Sequence, residues 1–529
     1  MALTLEQAAG QQFLLSFEGK DRLPQELLDV FRRQQVGGVV LFRHKNMGSL
    51  AEVRSLTRSL QKAARQAGQP PLLIAADQEG GQLMALGHGS PFPGNMALGA
   101  TGSENLAYRV GRALATELAA AGINVNFAPV CDVNNNPANP VIGTRSFGED
   151  PKLVGRLASA MIRGLQSAGV AATAKHFPGH GDTSTDSHHR TPLVNHERKR
   201  IQAVELAPFR AAVKSKARLL MPAHIVMPAL NGKLHDLPAT LSRQILRELL
   251  RSRMGFQGIV VSDAFDMHAL EQGPGYIAEV IAAVSSGIDL LLFNHDLSRV
   301  EGAWANLVQA ARRGLLSADE VRYSARRILA LKTWIARWPQ PPLEVVRSRK
   351  HLQLAQEVAR KSITLVRDTD GLLPLSIRAD ERIAVAMPRP EDLTPADTSS
   401  YEQPELARSL RRYHPHVDGF SFDIDPGAEE IEHLCSQLSR YDLIVVGTIN
   451  AAAYAGQAAL IERLRKQGPR LIALALRLPY DLASYPAVRT YICTYSILPP
   501  SMEAVADGLF GHIPFRGKLP VKIPGVRHT

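Results

Sequence analysis

One stretch of this chain is dense in groups that move protons: Lys175-His176-Phe177-Pro178-Gly179-His180-Gly181-Asp182-Thr183-Ser184-Thr185-Asp186-Ser187-His188. Three His, two Asp and one Lys fall within fourteen residues. Imidazoles titrating near ~6.5 beside carboxylates suit general acid–base catalysis at neutral pH. The preceding run Val170-Ala171-Ala172-Thr173-Ala174 reads as a buried strand, so the polar cluster starts where a strand stops. That is where α/β enzymes place their chemistry. Gly179 and Gly181 permit the tight backbone such a loop needs. Two further carboxylates follow apolar runs in the same way: Asp77 after Leu72-Leu73-Ile74-Ala75-Ala76, and Asp263 after Gly258-Ile259-Val260-Val261-Ser262. A carboxylate aimed at a pocket from a strand end is suited to nucleophilic attack or to gripping hydroxyls. The same Asp could instead cap the helix that follows a βα turn. Asp266, three residues beyond Asp263, is the competing carboxylate and reads as a helix-start residue.

The long block from Lys175 to His188 resembles the KHFPGHGDTxxDSH signature of family 3 glycoside hydrolases, in the β-N-acetylhexosaminidase branch. Asp77-Gln78-Glu79-Gly80-Gly81-Gln82, the run Asn136 to Pro151 around Arg145, and Val261-Ser262-Asp263-Ala264-Phe265-Asp266 resemble further segments of that family in the same order. The resemblance implies a retaining, exo-acting glycosidase that removes terminal β-linked N-acetylglucosamine, muropeptide fragments among its substrates. It implies Asp263 as the nucleophile that forms a glycosyl-enzyme. It implies His188 as acid/base, oriented by Asp186 as in the His–Asp pair of a triad. Asp77 and Arg145 would hold the sugar, Lys175 and His176 would do the same or else form a buried ion pair and a core His, and Gln82 stands where the family carries Arg. Arg145 or Lys175 is expected to supply the cation that Gln82 lacks. Asp132 is expected to orient one of those two cations or to cap a turn. His180 is assigned to loop structure, and His224 either lines the pocket or is a satisfied interior His. A β-glucosidase or β-xylosidase, a phosphorylase and a non-catalytic sugar-binding protein are the alternatives, and the Asp-x-His loop argues against the first and last.

Chemistry of this kind must be positioned by a repeated strand–helix unit. Apolar runs at Gln12–Phe17, Gly38–Phe42, Leu72–Ala76, Val125–Ala128, Val170–Ala174, Arg218–Met221, Gly258–Val261 and Asp289–Phe293 predict eight strands, with helical patterns such as Ile277–Ser285 and Ala318–Ile335 between or after them. Eight such units predict a (β/α)8 TIM-like barrel over residues 1–336. Trp338-Pro339-Gln340-Pro341-Pro342 cannot continue a helix and marks a stiff linker, residues 337–350. A helix over His351–Ser362 and strands at Ile363–Arg367, Ile383–Ala386, Leu443–Val446, Leu471–Ala475 and Thr490–Cys493 predict a smaller α/β/α sandwich over 351–529. This second unit is expected to be structural or to frame the edge of the cleft.

At 529 residues, 45% hydrophobic and 21% charged, the chain suits two or three globular domains. No apolar run is long enough to span a bilayer, and the first residues lack a basic segment followed by an apolar core. Three Cys, none in a CxxC pair, argue against a disulfide scaffold and a structural zinc site. A cytoplasmic location is the expectation. The formal charge of +11 is carried by scattered residues, which excludes a nucleic-acid footprint but leaves a weak attraction for anions. His176, His180 and His188 lack a regular helical face, so no metal is expected, and no organic cofactor either. The partner class is carbohydrate.

Overall fold

The computed structural model describes residues 3–185, 191–232, 236–270, 272–273, 275–294 and 297–526. Eight parallel strands close a barrel: β1 (Phe13–Leu15), β2 (Gly38–Val40), β3 (Leu73–Ala76), β4 (Val125–Asn126), β5 (Ala171–Phe177), β6 (Leu219–Pro222), β7 (Ile259–Ala264) and β8 (Leu290–Phe293). Each strand pairs with its neighbours in sequence, and β1 closes on β8 with Phe13 opposite Leu291. All eight expected strands are therefore present. Local signals set the helices between them. Ser49 and Glu52 form a reciprocal capping box at the start of Leu50–Gln66. Asp150 caps Pro151–Gln166, whose first position is Pro.

The two-residue period of a strand decides which side chains enter the barrel. Leu73 and Ala75, Ala171, Ile259 and Val261, and Leu290 and Leu292 form one interior cluster. The alternate residues, including Ile74, Ala172, Val260 and Leu291, pack outward into the large core beneath the helices. Ile328 and Leu331 of the helix Ala318–Ile335 close the interior cluster at its lower end.

The remaining strands form a six-stranded sheet: β9 (Thr364–Asp368), β10 (Ile383–Pro388), β11 (Val417–Phe422), β12 (Leu443–Thr448), β13 (Arg470–Ala475) and β14 (Thr490–Cys493). Its order is β9-β14-β13-β12-β10-β11, parallel except for the antiparallel edge strand β9. Both faces are buried. Val385, Val445 and Leu474 pack with Met502 and Val505 on one side, while Ala384, Val446 and Ala473 pack with Leu434 and Leu460 on the other. This is the expected three-layer sandwich. Two elements were not foreseen. Strand β11 is an edge strand whose Asp418, Gly419, Phe420 and Ser421 are not buried, so it lacks the apolar run of a central strand. A short hairpin, Gln78–Gly80 with Leu83–Met84, follows β3.

Among the described residues, no helix is long and apolar enough to cross a membrane. The segment after the barrel lies against it. Arg54 donates to the carbonyl of Pro341 at 3.2 Å, and the Arg347 amide donates to buried Glu117 at 3.1 Å.

Candidate active site

Strand parity carries three of the chemistry-bearing side chains to one place. Asp77 follows Leu73 and Ala75 in the inward set. Lys175 follows Ala171 and Thr173, because β5 runs on to Phe177. Asp263 follows Ile259 and Val261. All three line a cavity of about 540 Å³ at the C-terminal ends of the strands, with Arg145, His176 and Asp266.

Beneath it lies a neutral quartet of charges. Lys175 Nζ donates to Asp77 at 2.5 Å and contacts Glu79 at 2.7 Å. Arg145 grips Glu79 with two bonds, Nε at 3.0 Å and Nη2 at 2.8 Å. Glu79, Lys175 and Arg145 are buried, whereas the Asp77 carboxylate keeps 22% of its surface exposed. Burial alone would raise the Glu79 carboxyl, but Arg145 and Lys175 pull it down to about 2. Burial would lower Lys175, but Asp77 and Glu79 hold it above its ordinary value. Arg145 is likewise raised, its burial outweighed by Glu79. These shifts hold Glu79, Lys175 and Arg145 in their charged forms, and Asp77 is the outermost acceptor of the quartet. A carboxylate so fixed is suited to accept hydrogen bonds from neighbouring hydroxyls. Glu79 went unassigned from sequence. Its signal was there: one alternation from Asp77 puts both acids on the same side of an extended chain.

His176 belongs to a second cluster. Its Nδ1 lies 2.7 Å from buried Asp132, which also accepts from the His180 amide at 2.7 Å. Burial would raise Asp132, but His176 outweighs it and the carboxyl is lowered. An ionised Asp132 fixes the proton of His176 on Nδ1. Asp132 thus orients a His and ties down the loop, rather than orienting Arg145, which Glu79 holds, or Lys175, which Asp77 and Glu79 hold. His180 is a loop residue, its Nδ1 2.8 Å from Thr183 Oγ1, and it also lines the cavity.

Asp263 sits near the end of β7, and its Oδ1 accepts the Ala264 amide at 2.8 Å. The carbonyl of Ala264 is held by Nε2 of buried His224 at 3.0 Å, so His224 is an interior His that props the strand end. Asp266 departs from the expected helix start. It lies in a turn, the next helix begins at Tyr276, and its carboxylate accepts the Asn294 amide at 3.0 Å. It thereby joins the ends of β7 and β8. Asp186 and His188 lie outside the described residues.

Gln82 is not among the residues that line the cavity. Its Oε1 accepts from Thr144 Oγ1 at 2.6 Å and from Arg477 of the second unit. Its backbone carbonyl accepts from the Thr398 amide at 2.8 Å, and Arg477 pairs with Asp397 at 2.7 Å. The cation beside Gln82 is therefore Arg477. These contacts seat a loop of the second unit over the barrel, where Asp392, Asp397, Thr398 and Tyr401 become cavity wall. The Arg43 guanidinium packs on the Tyr401 ring, 4.1 Å from its centroid. The second unit does frame the cleft's edge.

A barrel whose inward carboxylates and cations share one mouth agrees with what comparison with known proteins finds. The model of the glycosyl hydrolase family 3 N-terminal domain matches residues 4–331. The chain belongs to glycosyl hydrolase family 3. It is 32% identical to a β-hexosaminidase A of Pseudoalteromonas piscicida, over 98% of this chain and 97% of that protein. It is 40% identical to a β-hexosaminidase of Tolumonas auensis over 51% of this chain and 79% of that one. The structure of a family 3 β-N-acetylglucosaminidase from Paenibacillus sp. FPU-7 superposes with a TM-score of 0.93 and 36% identity, covering 99% of this chain and 100% of that one. The two-unit arrangement of this glycoside hydrolase is thus shared along its whole length with the Paenibacillus structure.

Proposed function

We propose that this family 3 enzyme is a retaining, exo-acting β-N-acetylhexosaminidase that releases terminal β-linked N-acetylglucosamine from short glycans, muropeptide fragments included. The observation that carries the reading is the placement of Asp263. It projects from a barrel strand into the cavity that also presents Asp77, Arg145, Lys175 and His176. The relatives named as hexosaminidases and the Paenibacillus structure support the choice of sugar.

In this reading Asp77 accepts from two vicinal hydroxyls, and the Glu79-anchored cations hold it in place. Asp263 attacks the anomeric carbon and displaces the aglycone oxygen to give a glycosyl-Asp263 ester. His188, oriented by Asp186, protonates the departing oxygen and then takes a proton from the water that opens the ester. Residues 1–336 form the catalytic unit, joined through 337–350 to the sandwich of 351–529. The three cysteines are free and buried, in keeping with a reducing compartment.

A panel of p-nitrophenyl β-glycosides, assayed with and without phosphate, tests the sugar and the acceptor. N-acetylglucosaminide is expected to lead the panel, and phosphate to leave the rate unchanged. Asp263→Asn is expected to cut kcat by about 10³ or more. A 5-fluoro N-acetylglucosaminyl fluoride is expected to leave its label on the Asp263 peptide in mass spectrometry. Label on Asp266 would move the nucleophile there, and a wild type faster on the plain glucoside would replace the sugar.

A further inference from the structure

The opposite end of the barrel carries a second concavity of about 550 Å³. Its walls come from residues just before strands: Asn124 before β4, and Ala168 and Gly169 before β5, with the C-terminal half of Leu50–Gln66. It therefore lies at the N-terminal ends of the strands, away from Asp77, Lys175 and Asp263. Its charges are one-sided. Arg58, Lys62 and Arg65 line it, spaced one turn apart along one helix face, and no carboxylate does. Among the described residues, none of the three has an acidic side chain within ion-pair distance. Arg65 falls in the last turn of its helix, where the dipole favours a cation. Arg58 and Lys62 lie further back, where that explanation does not reach.

An aromatic surface completes the site. Trp338 is 40% exposed, and it packs so closely on Gly169 that a Cβ there would come within 2.5 Å of the indole. Its neighbour Trp334 meets it edge-on at 6.0 Å and is covered by the Arg218 guanidinium at 4.5 Å. Arg218 precedes β6, and its guanidinium is lowered first by burial and then by the neighbouring Arg337 cation. Five cations and one open indole thus share the barrel floor.

We propose that this floor is a non-catalytic binding site for an acidic polysaccharide, whose carboxylates meet Arg58, Lys62 and Arg65 while one sugar ring stacks on Trp338. Guanidinium forks suit carboxylates, and the C–H face of a pyranose buries well on an indole. A nucleic-acid track would interleave several open aromatics with its cations, and here a single indole is open. The choice of a glycan rests on the sugar-cleaving reading of the mouth. A chain held at the floor leaves the mouth clear.

Trp334 and Trp338 are two of the three Trp in the chain, so intrinsic fluorescence reports on the site independently of turnover. Trigalacturonate is the probe, with a neutral N-acetylglucosamine trimer, tripolyphosphate and a single-stranded oligonucleotide as comparators. Saturable quenching by trigalacturonate is expected, weakening at least about tenfold between roughly 50 and 500 mM NaCl. Arg58→Ala/Lys62→Ala/Arg65→Ala is expected to lose about tenfold or more in affinity. Trp338→Ala, read by calorimetry, is expected to lose about as much for trigalacturonate and under about threefold for tripolyphosphate. Both variants should keep wild-type kcat/KM on a p-nitrophenyl N-acetylglucosaminide. Absence of saturable binding in the wild type overturns the proposal. So does an oligonucleotide that binds more tightly than trigalacturonate, or a Trp338→Ala loss equal for all anions. If the mouth proves inactive on every glycoside while the floor still binds trigalacturonate, the catalytic reading fails and this one stands.

Discussion

Two lysines are buried at opposite ends of the same barrel, and their surroundings push them in opposite directions. Lys175, at the mouth, touches Asp77 and Glu79 and is held above its ordinary value despite burial. Lys332, in the helix Ala318–Ile335 near the floor, is equally enclosed, and its Nζ donates at 2.6 Å to the amide oxygen of Gln11. Among the described residues no carboxylate pairs with it, and burial pushes it down to about 7. The difference lies in where counter-charge has been placed. At the mouth, two acids and two bases balance inside a small volume, so a permanent polar surface is held ready for a ligand. At the floor, cations are left uncompensated. One buried Lys there destabilises the fold while it is charged.

Breaking the mouth should give the largest effect. Glu79→Gln leaves Lys175 and Arg145 buried with Asp77 as the remaining acid of the quartet. Removing one partner of a buried pair costs about 3–5 kcal/mol. Urea unfolding is expected to show a loss of that order, with kcat/KM falling as Asp77 shifts. Glu79→Gln/Lys175→Met should be less destabilised than Glu79→Gln alone, because the stranded cation goes too. The sign with pH follows from the depressed carboxyl. Glu79 contributes stability above its unfolded value of 4.5, and that contribution disappears as pH falls toward about 2. The gap between wild type and Glu79→Gln should therefore close over that window. A gap that holds constant down to pH 2 would mean that Glu79 is not ionised in the fold.

Lys332→Met sharpens the contrast from the other side. Between pH about 7 and 10.5 the unfolded chain holds a proton on Lys332 that the folded chain has released. Wild-type stability should then rise with pH across that window. Below it, both states are charged and the fold bears the desolvation of the ammonium. Lys332→Met is expected to stabilise the protein by a few kcal/mol at most at pH 7 and below. The gain should shrink as pH climbs toward 10.5. Thermal melts of both proteins at pH 6, 8 and 10 check it, and a variant no more stable than wild type at pH 6 contradicts it.

The mouth was far more legible in sequence than its rim. Asp77, Lys175 and Asp263 each end an apolar run, so local pattern alone placed them at strand ends. The period of two then turns them inward. Asp266 was misplaced because its partner, the Asn294 amide, is 28 residues away and no local pattern encodes it. The role expected of Asp132 fell to Glu79 for the same reason: which buried acid meets which cation depends on how loops cross above the barrel. The edge strand Val417–Phe422 lacks the apolar signature because one side of its ladder is open. Least legible was the contribution of the second unit. Arg477 and Thr398 reach Gln82 across more than three hundred residues, and nothing near Gln82 announces it.

That long reach makes Gln82→Arg the most discriminating of the small effects. Were Gln82 a sugar contact, an added guanidinium would supply a cation and tighten binding. Its Oε1 instead accepts from Arg477, which also holds Asp397 in the cavity wall. An Arg at position 82 removes that acceptor and sets two guanidinium groups against each other. The hydrogen bond to a charged group is worth about 1.5–3 kcal/mol when lost, and solvent at the half-buried rim softens this to about 1 kcal/mol. The loop carrying Asp392 and Tyr401 should loosen, raising KM and lowering kcat/KM roughly fivefold on an N-acetylglucosaminide. Gln82→Ala, which removes the acceptor without adding charge, should fall between the variant and wild type. Adding Arg477→Gln to Gln82→Arg should restore part of the loss, since it relieves the repulsion. Tighter binding by Gln82→Arg alone would return Gln82 to the sugar and leave the second unit's loop without its anchor.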